Sequence, residues 1–312
     1  MKAVQINEYG DTSVLNIVEI AKPTISENQI LVEVYASSLN PFDSVIRAGN
    51  MKETIPLQLP VTLGGDVSGI VAEVGTSVAG IRIGDKIYGQ ANVVAGNSGA
   101  FAEFAATSAG QVAKIPEGLD FKQAASLPLV GVSAWQGIVQ HINLKSGQKI
   151  FIHGGAGGIG TVAIQIAKHI GAYVATSATA DGLEYVKQLG ADEVIDYKSQ
   201  EFTEVLRDYD AVFELAGGGE FDKTLNILKR GGVAVSMIAH ANEAKVEELG
   251  VVAITQATKV TAEALDALSE LVSAGVISPH VDKVFSLDQI REAFEARESG
   301  AVLGKIVIEV KV

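Results

Sequence analysis

Short β-branched runs bounded by turn residues dominate the first third of the chain. Residues 31–34 and 69–75 read as strands, and Gly84-Asp85 and Asn97-Ser98-Gly99 punctuate the remainder. One short helical period covers residues 42–48. The pattern predicts a compact β-barrel-like or sandwich domain over residues 1–119. From about residue 120 the period changes. Apolar strands at 149–153, 173–177, 193–196, 211–215, 233–238 and 251–255 alternate with helical segments such as 159–169, 183–189 and 221–228. Apolar strands alternating with helices predict an α/β domain over 120–260, a doubly wound parallel sheet covered by helices. The tail, 261–312, shows helical patterns over 262–274 and 287–297. Strands over 281–285 and 305–310 flank the second.

Composition narrows the function classes. The 312 residues suit two domains, and 47% apolar with 20% charged residues is ordinary for packed globular proteins. A formal net charge of −13, without a basic run, argues against nucleic acid as a partner. The chain has no cysteine, which excludes disulfides, thiolate metal sites and a cysteine nucleophile. Its start, MKAVQINEYG, matches neither a signal nor a transit peptide, and a cytoplasmic protein is expected. Residues 123–144 and 150–167 lack Asp, Glu, Lys and Arg. Both contain polar residues, glycine or proline, and read as buried elements of a soluble core rather than spans of roughly 20 apolar residues.

The main chemical motif is Ile150-Phe151-Ile152-His153-Gly154-Gly155-Ala156-Gly157-Gly158-Ile159-Gly160. Gly155, Gly157 and Gly160 fit G-x-G-x-x-G between an apolar strand and an apolar helix, the context that makes the match informative. On this reading Gly155 makes the tight turn. Gly157 lets a pyrophosphate approach the backbone, and Gly160 lets helix and strand pack. The amides of Gly158 and Ile159 then open the helix toward the phosphates.

An NAD site carries an acid at the tip of the second strand, about 20 residues on. Here that strand ends Ala175-Thr176-Ser177-Ala178-Thr179-Ala180-Asp181. No acid stands at the tip, and Asp181 reads as the N-cap of the next helix. Ser177 and Thr179 offer hydroxyl donors for a 2′-phosphate. NADPH is therefore expected, with no Arg or Lys directly beside them.

At this point the sequence resembles the quinone oxidoreductase branch of the medium-chain dehydrogenase/reductase superfamily. The resemblance spans the chain in ordered motifs: Asn40-Pro41-Phe42-Asp43, the segment from Gly64-Gly65-Asp66 to Val71, Gly84-Asp85-Lys86-Ile87, the segment from Leu129 to Trp135, the glycine turn, Leu189-Gly190-Ala191-Asp192, and Gly304-Lys305-Ile306-Val307. It implies a GroES-like β-barrel catalytic domain completed by the tail, a Rossmann-type NADPH domain inserted between, and an active-site cleft. It also implies a homodimer pairing its Rossmann sheets edge to edge. Zinc-dependent relatives carry Cys at the position of Asn40 and His-Glu at Gly65-Asp66. The resemblance therefore implies a zinc-independent enzyme, with Asn40 and Asp43 in the catalytic cleft. It places the Ser133 hydroxyl near the nicotinamide ribose or amide, and Tyr197 near the adenosine phosphate. Neighbouring Lys198 supplies a charge that the Asp181-Gly182 region lacks. Val45 stands where close relatives often have Tyr.

Each assignment has a plainer counterpart. Asn40 before Pro41 suits a turn, Asp43 suits a helix cap, and Ser133 suits a backbone bond. Tyr197 suits a strand end, Trp135 the core, and the charged segment 242–248 a solvated face. The expected activity is hydride transfer from NADPH to a quinone or another activated carbonyl or enone acceptor. Without zinc the acceptor must already be electrophilic. Asn40 then donates to the developing oxyanion, and solvent supplies the proton. Enoyl or alkenal reduction is the alternative within enzymes. An NADPH-binding protein with a structural or RNA-binding role is the alternative outside them.

Overall fold

The computed structural model describes residues 1–217, 219–300 and 302–311. Two compact units emerge, one of Met1–Leu129, Val260–Ser273 and Pro279–Val312, the other of Val130–Lys259 and Ala274–Ser278. The first begins with β1 (Lys2–Ile6), β2 (Asn16–Glu19) and β3 (Gln29–Leu39), then α1 (Pro41–Ala48). Strands β4 (Val61–Thr62), β5 (Asp66–Val74), β6 (Lys86–Gln90), β7 (Phe104–Ser108) and β8 (Val112–Lys114) follow, then α2 (Phe121–Ala125). Helix α2 packs on β3 and β5 and lies in the first unit, so this unit extends past residue 119.

After α3 (Pro128–Trp135) come β9 (Lys149–His153), α4 (Gly158–Ile170), β10 (Tyr173–Ala178), α5 (Asp181–Gln188), β11 (Glu193–Asp196) and α6 (Phe202–Val205). Then come β12 (Tyr209–Glu214), α7 (Phe221–Thr224), β13 (Leu228–Ser236), α8 (Glu243–Leu249) and β14 (Val252–Thr255). The chain returns to the first unit with α9 (Ala262–Ser273), β15 (Val281–Ser286), α10 (Ile290–Glu298) and β16 (Lys305–Glu309).

The second unit is the expected Rossmann-type sheet. Its six strands are all parallel, in the order β11-β10-β9-β12-β13-β14. This is the dinucleotide-binding order, with the switch point between β9 and β12, where ligands sit outside the strand ends. Phe151, Val212 and Ala234 are buried in its core with Phe202 and Leu225. Strand β13 starts at Leu228, earlier than the apolar run at 233 suggests, because Leu228 pairs with Tyr209 before a register shift. The helical pattern over 221–228 becomes the short α7 and a 3-10 turn, Leu225–Ile227.

In the first unit, β3 is the axis of the GroES-like barrel. Residues Gln29 to Glu33 pair with β7, whereas Ala36 to Leu39 pair with β16. An irregularity in the pairing of β3 with β5 falls between Val34 and Ala36, at this change of partner. A bulge bends a strand and sharpens its twist, so one strand serves two partners along one edge. Ile306, Val307 and Ile308 of β16 are buried, so the tail is part of the core.

Candidate active site and cofactor turn

Adjacent strands β16, β3 and β5 gather the polar centre of the first unit. Register pairs Ile306 with Leu39 and Ser38 with Asp66, which sets Lys305 across from Asn40 with Asp66 one strand over. Asn40 is the N-cap of α1, followed by Pro41, whose fixed φ suits the first helical turn. Asp43 Oδ2 accepts the Asn40 backbone N–H at 2.7 Å, so the capping role of Asp43 is real. The Asn40 side chain turns instead into the barrel. Its Nδ2 donates to Asp66 Oδ2 at 2.8 Å, and its Oδ1 accepts from Lys305 Nζ at 2.5 Å.

Asp66 also accepts from Ser38 Oγ at 2.8 Å, Leu129 N–H at 3.0 Å and Gln90 Nε2 at 3.4 Å. Lys305 Nζ donates to the Leu39 carbonyl at 3.0 Å and lies 3.7 Å from Asp66 Oδ2. The residues are 0% (Asp66), 2% (Asn40), 5% (Lys305) and 7% (Asp43) exposed. Burial of Asp66 and Lys305 is tolerable because the two charges face each other and are hydrogen-bonded, whereas Asp43 accepts the Asn40 N–H and makes no ion pair among the described residues. Burial pushes Asp43 up to about 7, reinforced by Asp66, while the Asn40 N–H, Lys305 and Arg297 pull it down. Burial likewise lowers Lys305, opposed by Asp66 and Asp43. Sequence reasoning gave Lys305 no role. The available signal was a lysine opening the apolar strand Lys305–Glu309.

In the second unit, the glycine turn divides its labour differently from the expectation. Gly154 holds the left-handed conformation, φ +96°, not Gly155. Gly155 is required by its neighbour: a Cβ there would stand 2.0 Å from Thr176 Oγ1. At Gly160 a Cβ would meet the Gly154 carbonyl at 2.4 Å and Gly155 Cα at 2.6 Å, so its role in close packing is as expected from the motif. At Gly157 a Cβ would meet only the Gly154 carbonyl, at an ordinary 3.5 Å. Gly157 is also the N-cap of α4 and brings no side-chain acceptor to the amides of Gly158, Ile159 and Gly160. Space and uncapped donors at a helix N-terminus, beside a switch point, fit a dinucleotide pyrophosphate.

The tip of the second strand is assembled by parallel pairing, Ala178 opposite Asp196. Half-buried Thr179 and exposed Tyr197 and Lys198 thus follow the C-terminal ends of adjacent strands. Lys198 Nζ lies 5.5 Å from the Tyr197 ring centroid. The intervening Ala180 has φ +49°, a strained position for a residue with a Cβ. Ser177 does other work: its buried hydroxyl oxygen accepts the Gly154 N–H at 2.9 Å, bracing the glycine turn. Asp181 is the first residue of α5, and Ala180 takes the N-cap position.

Ser133 is buried, its hydroxyl 2.7 Å from Thr258 Oγ1. Trp135 is half-buried, and α8 carries no buried residue. Gln256, just past β14, donates through Nε2 to the Ser133 carbonyl at 3.0 Å and to Thr258 Oγ1 at 3.2 Å. Its Oε1 is the one buried side-chain polar atom without a partner among the described residues. An unmet buried acceptor beside Ser133 suits a ligand amide. At the ends of β9 and β12, His153 Nδ1 lies 2.7 Å from Glu214 Oε2. Glu214 Oε1 accepts the N–H groups of Ala216 and Gly217 at 2.7 and 3.0 Å, which braces the loop after β12. Neither Gln256 nor Glu214 stands in a sequence motif, and neither was anticipated.

Among the described residues no group of three or more His, Cys, Asp or Glu is placed to hold a metal ion. No described helix is long and apolar enough to cross a membrane.

A glycine-turn Rossmann sheet joined to a GroES-like barrel defines a dinucleotide-dependent oxidoreductase class. Comparison with known proteins agrees. Residues 26–117 match the alcohol dehydrogenase GroES-like domain, and residues 189–308 match the family described as zinc-binding dehydrogenase. The chain is 35% identical to 2-methylene-furan-3-one reductase of Solanum lycopersicum, over 99% of this chain and 79% of that protein. It is 33% identical to the chloroplastic NADPH-dependent alkenal/one oxidoreductase of Arabidopsis thaliana, with the same coverage. The solved quinone oxidoreductase from Coxiella burnetii superposes with a TM-score of 0.92 at 34% identity, covering 100% of this chain and 99% of that one. The chain belongs to the quinone oxidoreductase branch of the medium-chain dehydrogenase/reductase superfamily.

Proposed function

We propose that the protein is a zinc-independent oxidoreductase that uses NADPH to reduce quinones and activated enones. The observation that carries the zinc-independent reading is the buried Lys305 ammonium, which supplies the positive charge among Asn40 and Asp66. Gly157 and the uncapped amides of α4 would hold the pyrophosphate, with Thr179, Tyr197 and Lys198 near the adenosine end. Gln256 Oε1 would accept from the nicotinamide carboxamide. When bound, NADPH supplies the hydride. Asn40 Nδ2 donates to the oxyanion that develops on the acceptor. An amide polarises a carbonyl less than a Lewis-acid metal does, so the acceptor must be electrophilic beforehand.

Enone reduction uses the same residues, and the names of the Solanum and Arabidopsis relatives favour enones among the acceptors. The net charge of −13 counts against an RNA-binding role. Half-exposed Val252 on the edge strand β14 supports a homodimer paired along that edge. The deciding experiment follows NADPH oxidation by absorbance in chelator-treated buffer, with quinones, enones and simple ketones as acceptors. Turnover is expected with the first two and not the third. Oxidation only after zinc is added, or with no acceptor at all, overturns the proposal.

A further inference from the structure

We propose that Lys305 is a positioning residue of this site: its buried ammonium holds the Asn40 amide so that the NH2 group, not the carbonyl, faces the acceptor. The inference rests on the role given to Asn40 above. An asparagine amide is nearly symmetric in shape, so only its hydrogen-bond partners decide which end points where. Here the two partners are opposite in kind. Lysine has three N–H donors and no acceptor, so the atom 2.5 Å from Nζ must be Oδ1. The Asp66 carboxylate has acceptors only when ionised, so the atom 2.8 Å from its Oδ2 must be Nδ2. The flipped amide would set carbonyl against carboxylate and NH2 against ammonium, losing both bonds.

One Nδ2 hydrogen goes to Asp66. Nδ2 makes no other hydrogen bond to the described residues, and the second hydrogen would go to a ligand oxygen. Lys305 also anchors the backbone on which Asn40 sits, through the Leu39 carbonyl at 3.0 Å. A purely structural position at the head of a buried strand would be served as well by an apolar side chain, because burying an ammonium is costly. The cost is accounted for if the charge sets the amide.

The test compares the parent with Lys305→Met, Asn40→Ala and the double variant. Met keeps the length of the stem and removes the charge. The readouts are kcat, the KM for 9,10-phenanthrenequinone, NADPH affinity by fluorescence, and exchange of the Asn40 side-chain amide protons by 15N NMR. In Lys305→Met, kcat should fall about tenfold to a hundredfold, with KM and NADPH affinity little changed. The Asn40 amide protons should exchange faster than in the parent. The double variant should be no worse than the poorer single one, because the two residues act as a unit. Parent-like kcat with parent-like exchange overturns the inference, as do losses that multiply in the double variant. If Lys305→Met does not fold, Lys305→Met/Asp66→Asn is compared with Asp66→Asn alone by the same readouts, so that the effect of losing the carboxylate cancels. If the parent itself oxidises NADPH with no quinone or enone, the reductase reading falls. The exchange measurement alone then decides whether Lys305 sets the amide.

Discussion

Lys305 Nζ and Asn40 Oδ1 are hydrogen-bonded at 2.5 Å although 265 residues separate them in the chain. The contact fastens the last strand, β16, to the N-cap of α1, and brings a cation within reach of two buried carboxylates, Asp66 and Asp43. Neighbouring Asp43 therefore makes the site's charge visible in the stability of the protein.

Asp43 is raised to about 7 in the folded protein, chiefly by burial, against about 3.9 unfolded. The folded state binds the extra proton between those values. The stability linked to Asp43 is complete below about pH 4 and is lost as pH rises through about 7. Asp43→Asn keeps an acceptor for the Asn40 N–H and removes the titration. Its unfolding free energy relative to the parent, from urea titrations, should rise from about pH 4 to about pH 7 and level off above, with a limiting slope near 1.4 kcal/mol per pH unit. A pH-independent difference contradicts the assignment.

Gly157 and Gly160 should separate ligand contact from packing. A Cβ at 157 meets only the Gly154 carbonyl oxygen, at ordinary contact distance, whereas one at 160 strikes the backbone of Gly154 and Gly155. Gly157→Val should keep a near-parent urea midpoint and lose most NADPH affinity. Gly160→Val should lose stability by at least the ~1–3 kcal/mol typical of overpacking. Parent-like NADPH binding by Gly157→Val means that the pyrophosphate does not sit on this turn.

No acid stands at the tip of β10, Asp181 being the first residue of the next helix, and Lys198 stands past the end of the neighbouring strand. NADPH should bind more tightly than NADH. Lys198→Ala should weaken NADPH by roughly threefold to tenfold, since an exposed charge is screened, and leave NADH unchanged. Raising the salt should narrow the gap between the two cofactors. Fluorescence titrations of both cofactors at two ionic strengths decide this, and equal affinities remove the 2′-phosphate assignment.

Prolonged dialysis against a chelator should leave turnover intact, with less than stoichiometric zinc by elemental analysis. The prediction follows from Lys305, whose ammonium already satisfies Asn40 Oδ1 and faces Asp66. Stoichiometric zinc whose removal abolishes activity shows the lysine reading to be wrong.

Features written in contiguous residues are legible in the chain itself. The strand–helix alternation after residue 120 and the helix over 42–48 follow from local periodicity, and six parallel strands and α1 match them. The glycine turn is legible for the same reason, because strand, turn and helix are consecutive, although the left-handed residue is Gly154. Residue type alone did not say what Ser177 binds. A hydroxyl serves a phosphate or a backbone amide equally, and only the fold brings Gly154 N–H onto its oxygen. Gln256 likewise became informative only once burial left its Oε1 without a donor. The centre of the first unit lay furthest from sight. Asn40 and Asp66 are 26 residues apart and Lys305 is 265 from Asn40, and no local period links them. Their meeting depends on the register of β3 with both β5 and β16, a long-range choice made by burying whole strand faces. The sequence by itself thus determined the elements and the cofactor turn, whose interactions are local. Tertiary structure alone decided which charges share the barrel interior, because strand pairing, not proximity along the chain, sets those distances.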